Sequence, residues 1–519
     1  MNFSTSTTGK TERLKDTKQL STQWETLNWE QIKYEVNRLQ TRIAKAIAKG
    51  ENSKAKRLQY LLTHSFSAKA YAVKKVTTNK GKNTSGIDKK LWSTHASKMK
   101  ATLLLNTGKY RAKPLRRVYI DKKGKKKKRP LGIPTMYDRA MQTLYALALE
   151  PIAETTGDSV SFGFRKGRSA KDACEQLFCV LARKCSPKWI LEGDIKGCFD
   201  NINHEWLLDN IPMDKRIMKQ FLKSGYIHHS HLFPTEIGSP QGGAISSIYA
   251  NMTLDGLEKL IQDKYHRNSK GNIENHYRAK TKVNLVRYAD DFIITANTKE
   301  TAIEIKSLVR DFLQSRGLTL SEEKTLITYI DDGFNFLGWT FKKFKNKLIV
   351  KPSKESIKNV TKKCSTIILR EGKASTQQDL IRRINQVLNG WSNYHNHVVS
   401  SKVFAIINNN VYLLLQRWAK HRHPNKNKWW RLNRYWHAKD IRIWVFSTND
   451  IELINLKQIK IVRHLKLQIY KNPFIDKEYF DKRKIRLRMA ITARKGEGML
   501  EPYERETLTY GQCRQLKKI

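Results

Sequence analysis

Apolar residues recur at helical spacing near the start of the chain. Ile32, Val36, Leu39, Ile43 and Ile47 fall on one helix face, and Gly50 supplies a stop. Asn28 followed by Gln31 has the spacing of a capping box. A second helix is predicted from Ser53 to about Thr63. The basic stretch NKGKNTSGID, with its Gly and Asn, then reads as a loop. Lys188 to Ile195 reads as a strand, and Val283 to Ala296 as two strands around a tight Ala-Asp-Asp turn. Ala244 to Leu260 reads as a helix after the loop GSPQGG. Phe334 to Phe341 and Lys347 to Val350 read as a small hairpin. Beyond Pro352 the spacing turns mostly helical, with helices at Gln378 to Leu388 and Val403 to Ala419. Strands and helices mix without a regular βα repeat, which is an α+β pattern. The first twenty or so residues are polar and aperiodic and are expected to fray. The basic segment beyond Phe446 has no pattern that fixes its fold.

Composition narrows the class. A chain of 519 residues suggests about three domains. A hydrophobic fraction of 39% excludes wholesale disorder. No apolar run approaches the roughly 18 residues of a membrane span, so no integral membrane protein is expected. Six Cys, none spaced CxxC, make neither a disulfide scaffold nor a zinc ribbon, and read as reduced intracellular thiols. The N-terminus lacks the apolar core of a signal peptide, and it carries Glu12 and Asp16, which a transit peptide tends to avoid, so no export is expected. Lys and Arg number 99 against 47 Asp and Glu, a net charge of +52. The cations are spread along the chain rather than gathered in a tail. That favours a large nucleic-acid-binding surface over a small anchor, although charge alone also describes a protein that merely adheres to nucleic acid.

Candidate chemistry sits in two segments. In Arg287-Tyr288-Ala289-Asp290-Asp291-Phe292, two adjacent carboxylates lie between apolar runs, VNLV before and FIIT after. Burying both costs on the order of several kcal/mol unless something pairs with them. A hard divalent cation such as Mg²⁺ is the economical partner; a polar hairpin turn is the plainer reading. In Trp189 to Asp200, Asp194 stands at a strand end before a Gly-containing turn, where a helix cap is the plainer reading. Two acidic strand ends on adjacent strands would suit two-metal phosphoryl transfer. One ion activates a 3′-hydroxyl and the other stabilises leaving pyrophosphate.

The segment RYADDF resembles the YxDD box of reverse transcriptases. Further blocks of that family stand in order around it: RPLGIPT (129–135), GSPQGGAISSIYAN (238–251), SEEKT (321–325) and FNFLGWTF (334–341). Their wording is similar to the group II intron branch. LNGWSNYHNHVVS (388–400) and RWAKHRHPNKNKWW (417–430) resemble its maturase, or X, domain. RHLKLQIYKNPF (463–474) resembles the segment C-terminal to that domain in the same branch. The resemblance covers about residues 25–485.

It implies a right-hand polymerase. Residues 1–24 would be a flexible N-terminus and 25–352 the fingers and palm. An α-helical thumb/maturase X domain would occupy 353–446, with a basic C-terminal DNA-binding module and tail at 447–519. Asp194, Asp290 and Asp291 would be catalytic and would hold two Mg²⁺ ions, the Ile195 carbonyl adding a further oxygen. Phe199 would be the steric gate under the sugar C2′, excluding a 2′-hydroxyl; its plainer reading is a core Phe. Gln241 would line the dNTP pocket, and Arg129 and Lys123 would hold triphosphate oxygens. Residues 122–129 are basic at every position but Gly124, so some of these cations would instead track template phosphates. Lys324 either approaches the site or pairs with Glu322 or Glu323.

In the X region, Trp391, Tyr394, Trp418, Trp429 and Trp430 stand among cations, a pattern that suits base stacking with phosphate contact. It equally suits a helical core with a basic outside. Trp391, Arg417, Trp418, Lys420 and Arg422 are the expected RNA contacts; His421 and His423 read as RNA-facing or structural. With Cys513 alone after Cys364 and no His after His464, no HNH endonuclease is expected. The implied function is a group II intron reverse transcriptase/maturase. Its partners would be intron RNA, primer–template duplex, target DNA and dNTPs, in the bacterial cytoplasm and nucleoid or an organelle matrix, with no membrane. The alternatives are a splicing-only maturase and a domesticated relative in repair or phage defence.

Overall fold

The computed structural model describes residues 7–121, 128–229, 231–240, 242–268, 270–273, 281–439 and 442–495. The backbone forms two compact units. One runs to Asp332 and takes in Leu467–Lys477; the other comprises Gly333–Lys466 and the chain from Glu478. This division differs from a boundary at residue 352 and from a separate module beginning at 447.

In the first unit the strands are β1 (Leu115–Ile120), β2 (Arg129–Ile133), β3 (Trp189–Asp194), β4 (Tyr226–His228), β5 (His231–Phe233), β6 (Asn284–Tyr288), β7 (Asp291–Ala296) and β8 (Leu326–Tyr329). They make two four-stranded sheets, ordered β2-β1-β4-β5 and β6-β7-β3-β8. The second sheet is antiparallel throughout. Ile190, Leu191, Leu285, Phe292, Ile293 and Ile294 are buried in it, as the near-continuous apolar runs require. A Cβ on Gly193 would fall 2.1 Å from the ring of Phe292, its partner across the ladder. Glycine there lets that ring lie flat on β3.

The N-terminal region departs from expectation. Residues Thr7–Glu25 form a helix rather than a frayed end. Its polar surface hid two anchors: Trp24 is buried, and Glu25 meets His95 at 2.6 Å. The next helix, Trp29–Ala48, starts on Asn28, whose side chain accepts from the Gln31 N–H at 3.0 Å. Only that half of the box forms, because the Gln31 amide donates to Glu35 instead, at 2.9 Å.

The helix read over 244–260 is two helices, Ser246–Leu254 and Leu257–Tyr265. Gly256 breaks it at φ +96°, and the break serves a buried charge. Arg287 of β6 is fully buried and pairs with Asp255, with Asp158 at 3.9 Å. Asp158 in turn accepts from the Gly256 N–H at 2.9 Å and the Glu258 N–H at 3.3 Å. Beside it, Arg165 and Glu154 form a second buried pair at 2.9 Å. Burial pushes Asp255 up to about 6, against the pull of Arg287.

In the second unit, β9 (Phe334–Phe336), β10 (Trp339–Phe344) and β11 (Lys347–Pro352) form one three-stranded sheet, where a simple hairpin was expected. The missed turn is Leu337-Gly338, with φ +49° and +83°. Leucine there concealed the mirror-image turn that hairpins favour. Helices Lys354–Thr366, Gln377–His395 and Ser401–Arg422 pack around Ile368, Leu380, Ile384, Phe404, Ile407 and Leu415. β12 (Trp436–Lys439) and β13 (Arg442–Phe446) form a two-stranded ribbon. Among the described residues no helix is long and apolar enough to cross a membrane.

Replacing Arg287 with Met should leave Asp255 and Asp158 buried without their cation. Unfolding in urea should then show a loss of about 3–5 kcal/mol; a loss below about 1 kcal/mol would show that the pair does not hold the sheet.

Candidate active site

The site is built by register. β3 and β7 run antiparallel with Asp194 directly opposite Asp291. β6 and β7 close with Tyr288 opposite Asp291, leaving Ala289-Asp290 as a two-residue turn. Three carboxylates thus gather at two adjacent strand ends.

The turn is held from behind. Ala289 is buried with φ +56°, a left-handed conformation that costs a non-glycine residue about 1–2 kcal/mol. Gly163 backs onto it: a Cβ on Gly163 would lie 2.4 Å from the Ala289 nitrogen. The Asn251 amide fixes Gly163 through its carbonyl at 2.8 Å, so the last residue of GSPQGGAISSIYAN braces the acidic turn. Phe162 donates its N–H to the Arg287 carbonyl at 2.8 Å.

The carboxylates perturb one another. Dehydration raises Asp290, with Asp194 adding to the rise and Lys324 and Arg129 opposing it. Asp291, open on one side to solvent, is pushed up to about 7, first by dehydration of its crowded surroundings and then by Asp290 and Asp194. Asp194 Oδ2 is met by Lys324 Nζ at 2.5 Å, and that pairing raises the Lys324 ammonium. The two nearby glutamates are therefore not its partners; Glu322 pairs with Lys306 at 2.8 Å. As the side chains stand, no trio of His, Cys, Asp or Glu among the described residues converges on a cation. The donor chemistry nonetheless fits a hard divalent ion: carboxylate oxygens in mutual repulsion, balanced by one displaceable cation.

Of the other expected residues, Ile195 bridges to Leu320 through Lys196 N–H to Thr319 and Ser321 N–H to the Asp194 carbonyl, so its own carbonyl lies outside that ladder. Phe199 is half-buried on the short helix Cys198–Asn201. Its carbonyl accepts from the Ser239 N–H at 2.6 Å, and a Cβ on Gly238 would strike it at 2.8 Å. The Gly/Pro loop therefore clamps that helix. Arg129 is exposed at the start of β2. Lys123 and Gln241 lie outside the described residues.

Sequence reasoning passed over Phe164. It is 59% exposed, carries φ +58° and places its ring 6.3 Å from Phe199. An exposed, bulky residue is uncommon in left-handed backbone, and this one stands beside the expected steric gate. No motif pointed to it; the strain is visible only in three dimensions.

In the second unit, the expected RNA contacts divide. Trp418 is a correction. It is 2% exposed and donates its indole N–H to the Gly372 carbonyl at 3.0 Å. Val411, Leu414, Leu415 and Trp418 share the buried face of Ser401–Arg422, so its helical phase puts it inside. Trp391 is half-buried, donates to Ser356 at 3.1 Å and packs on His395. Arg417, Lys420 and Arg422 are exposed, although Arg422 also donates to the Ser375 carbonyl at 2.8 Å. Of the tryptophans expected at the RNA surface, Trp429, at 64%, and Trp430 are exposed.

The chain is similar to known proteins along much of its length. The family model for reverse transcriptase (RNA-dependent DNA polymerase) matches residues 120–341. The model for the N-terminal domain of reverse transcriptase matches 24–105, and that for the group II intron maturase-specific domain matches 357–436. The chain is 35% identical over 338 residues to the group II intron-encoded protein LtrA of Lactococcus lactis subsp. cremoris, covering 54% of this chain and 55% of that one. It is 30% identical over 338 residues to protein YkfC of Escherichia coli K12, covering 58% of this chain and 87% of that one. An uncharacterized 91 kDa protein in the cob intron of Schizosaccharomyces pombe is 28% identical over 382 residues, covering 60% and 46%. The chain thus spans about half the length of LtrA.

The Lys324–Asp194 pair can be read by a double-mutant cycle in metal-free buffer. Lys324→Met and Asp194→Asn should each shift stability, and the pair should show a coupling of about 0.5–1 kcal/mol in urea unfolding, modest because Lys324 is half-exposed. Additive effects would mean that Lys324 does not neutralise Asp194.

Proposed function

This chain belongs to the group II intron reverse transcriptase and maturase family, and from that premise we propose that it is an RNA-directed DNA polymerase that also promotes splicing of its intron RNA. The observation that carries the polymerase reading is the register of β3 on β7, which sets Asp194 against Asp291 with Asp290 in the adjoining turn. A splicing cofactor alone has no need of three carboxylates pressed together against their own repulsion.

The family uses divalent metal ions. In this reading there are two Mg²⁺ ions, held by Asp194, Asp290 and Asp291 with the Ile195 carbonyl. When bound they supply activation of the primer 3′-hydroxyl and charge neutralisation at the leaving pyrophosphate. The remaining work falls to the chain itself. Arg129, whose charge already reaches Asp290, and Lys123 hold triphosphate oxygens. Phe199, clamped by the Gly238-Ser239 loop, presents its ring under the sugar and excludes a 2′-hydroxyl. Gln241 lines the nucleotide pocket. Lys324 balances Asp194 while no cation is bound.

The template and splicing partner is group II intron RNA; primer–template duplex and target DNA are further partners, met inside the cell. In the second unit the exposed Arg417, Lys420 and Arg422 meet phosphates, and the exposed Trp429 and Trp430, not Trp418, offer faces for stacking. A right-hand arrangement of fingers, palm and helical thumb, followed by a basic DNA-binding module, completes the proposal.

Asp290→Ala should abolish Mg²⁺-dependent dNTP incorporation on a primed RNA template while most intron RNA binding and protein-assisted splicing survive. DNA synthesis at the unmodified rate by that variant would overturn the assignment. Phe199→Ala should raise the use of rNTPs relative to dNTPs; an unchanged ratio would return Phe199 to the core.

A further inference from the structure

The sheet β2-β1-β4-β5 has two faces, and the proposed chemistry uses one of them. Residues opposite each other across a ladder share a face, and successive residues alternate. Arg129 and Leu131 of β2 stand opposite Ile120 and Val118 of β1. This face carries the proposed triphosphate contact Arg129, and its Leu131 packs against Gly242, in the loop whose Gly238 and Ser239 clamp the Phe199 helix.

The other face is composed differently. The registers Leu115 with Tyr226, Tyr226 with Phe233 and His228 with His231 put Arg117, Tyr119, Tyr226, His228, His231 and Phe233 together on it. The rings are already arrayed. Tyr226 and Phe233 stack at 5.1 Å with 14° between planes. Tyr119 meets His228 edge-on at 5.2 Å. The Arg117 guanidinium lies over the Tyr226 ring at 3.7 Å. Tyr119 is 46% exposed and Phe233 40%, and His231 is open as well.

The strands that carry these rings bring charge of one sign. The four strands contain Arg116, Arg117 and Arg129 and no Asp or Glu. Arg117 makes no salt bridge among the described residues, and its Nε is buried without a hydrogen-bond partner. Asp121, just past β1, is already paired with Lys128 at 3.7 Å. The sequence joining β1 to β2 is DKKGKKKK. Half-exposed aromatic rings and a stacked arginine without an acid are the components of a single-strand platform: ring faces for bases, a cation for phosphate. The three strands β1, β4 and β5 span about 10 Å at about 4.8 Å between neighbours, which is room for two or three bases.

We propose that this outer face of the β1-β4-β5 sheet binds unstacked bases of single-stranded RNA, with Tyr119 and Phe233 as stacking partners and Arg117 as the phosphate contact. The site rests on the reading of the chain as an RNA-binding protein, but it lies on the face opposite Arg129 and Leu131 and is separable from polymerisation. RNA held here is not the strand being copied at Asp290; it is a neighbouring unpaired segment.

The test uses the full chain and a single-stranded RNA of about 12 nucleotides carrying 4-thiouridine. Ultraviolet cross-linking should join the RNA to peptides containing Tyr119 and Phe233. Tyr119→Ser with Phe233→Ser should weaken binding of the same RNA about tenfold, with an unchanged salt slope, because no cation is removed. Tyr119→Phe with Phe233→Tyr should restore it. Arg117→Met should lower the salt slope by about one. Absence of cross-links to both strands in the unmodified protein at saturating RNA overturns the proposal, whether or not the variants fold. So does unchanged RNA affinity in the folded Ser variant, including the case where that variant changes only the oligomeric state and the face proves to meet protein. A chain that cross-links here yet incorporates no dNTP would overturn the polymerase reading and leave this one standing.

Discussion

Everything at the candidate site depends on one antiparallel pairing. Because β3 and β7 lie in register, Asp194 cannot move away from Asp291, and the two-residue turn cannot move Asp290 away from either. Like charges so confined raise one another and hold the local potential negative. That repulsion must be resisted by structure elsewhere. Phe292 lying on Gly193 closes the two strands at their charged end. Gly163 and Asn251 brace the turn from behind. Arg287, fully buried one turn-length back, ties β6 to the helix break at Asp255. The strained Ala289 persists because these supports over-determine it.

The same supports explain why the motif around the turn is longer than its chemistry. Two of its six residues carry carboxylates, yet Arg287 and Phe292 are the residues that make the turn rigid. A buried arginine is a poor source of net stability, since desolvation offsets most of what its ion pairs contribute. Its ion pairs hold Asp255 and Asp158 against β6 at the break in the helix.

How much of this was legible in the sequence depends on how local each signal is. The apolar runs that make β3, β6 and β7 are local, and so is an acid at a strand end; both were readable. The partner of Lys324 was not, because Asp194 stands 130 positions away and two glutamates stand beside the lysine. Trp418 misled for a related reason. Tryptophan among Lys, Arg and His looks like a nucleic-acid surface in one dimension, but its spacing from Val411, Leu414 and Leu415 is that of a core position. Phase outweighed composition there, and Trp429 and Trp430, past the helix end, are left outside. The unbroken helix read over 244–260 had a visible contrary signal in Gly256, whose left-handed backbone allows the Asp158 contact. The N-terminal helix Thr7–Glu25 had almost none, because its anchors are single residues at one end.

The net charge of +52 also acquires a structure. Acidic residues are fewer than half as numerous as basic ones, and several of them are spent internally. Glu154, Asp158 and Asp255 face Arg165 and Arg287 in the interior, where they cancel charge that no ligand could see. Asp194, Asp290 and Asp291 stand at the candidate site. The outer face of the β1-β4-β5 sheet carries no acid at all, and in the second unit the last turn of Ser401–Arg422 is Lys, His and Arg. The potential met by an approaching polyanion is therefore strongly positive, and it is divided among surfaces on different elements. A small substrate such as a nucleotide needs one such surface. A large folded RNA, contacting many at once, releases counterions from each, and this is the partner for which a charge distributed in this way is suited.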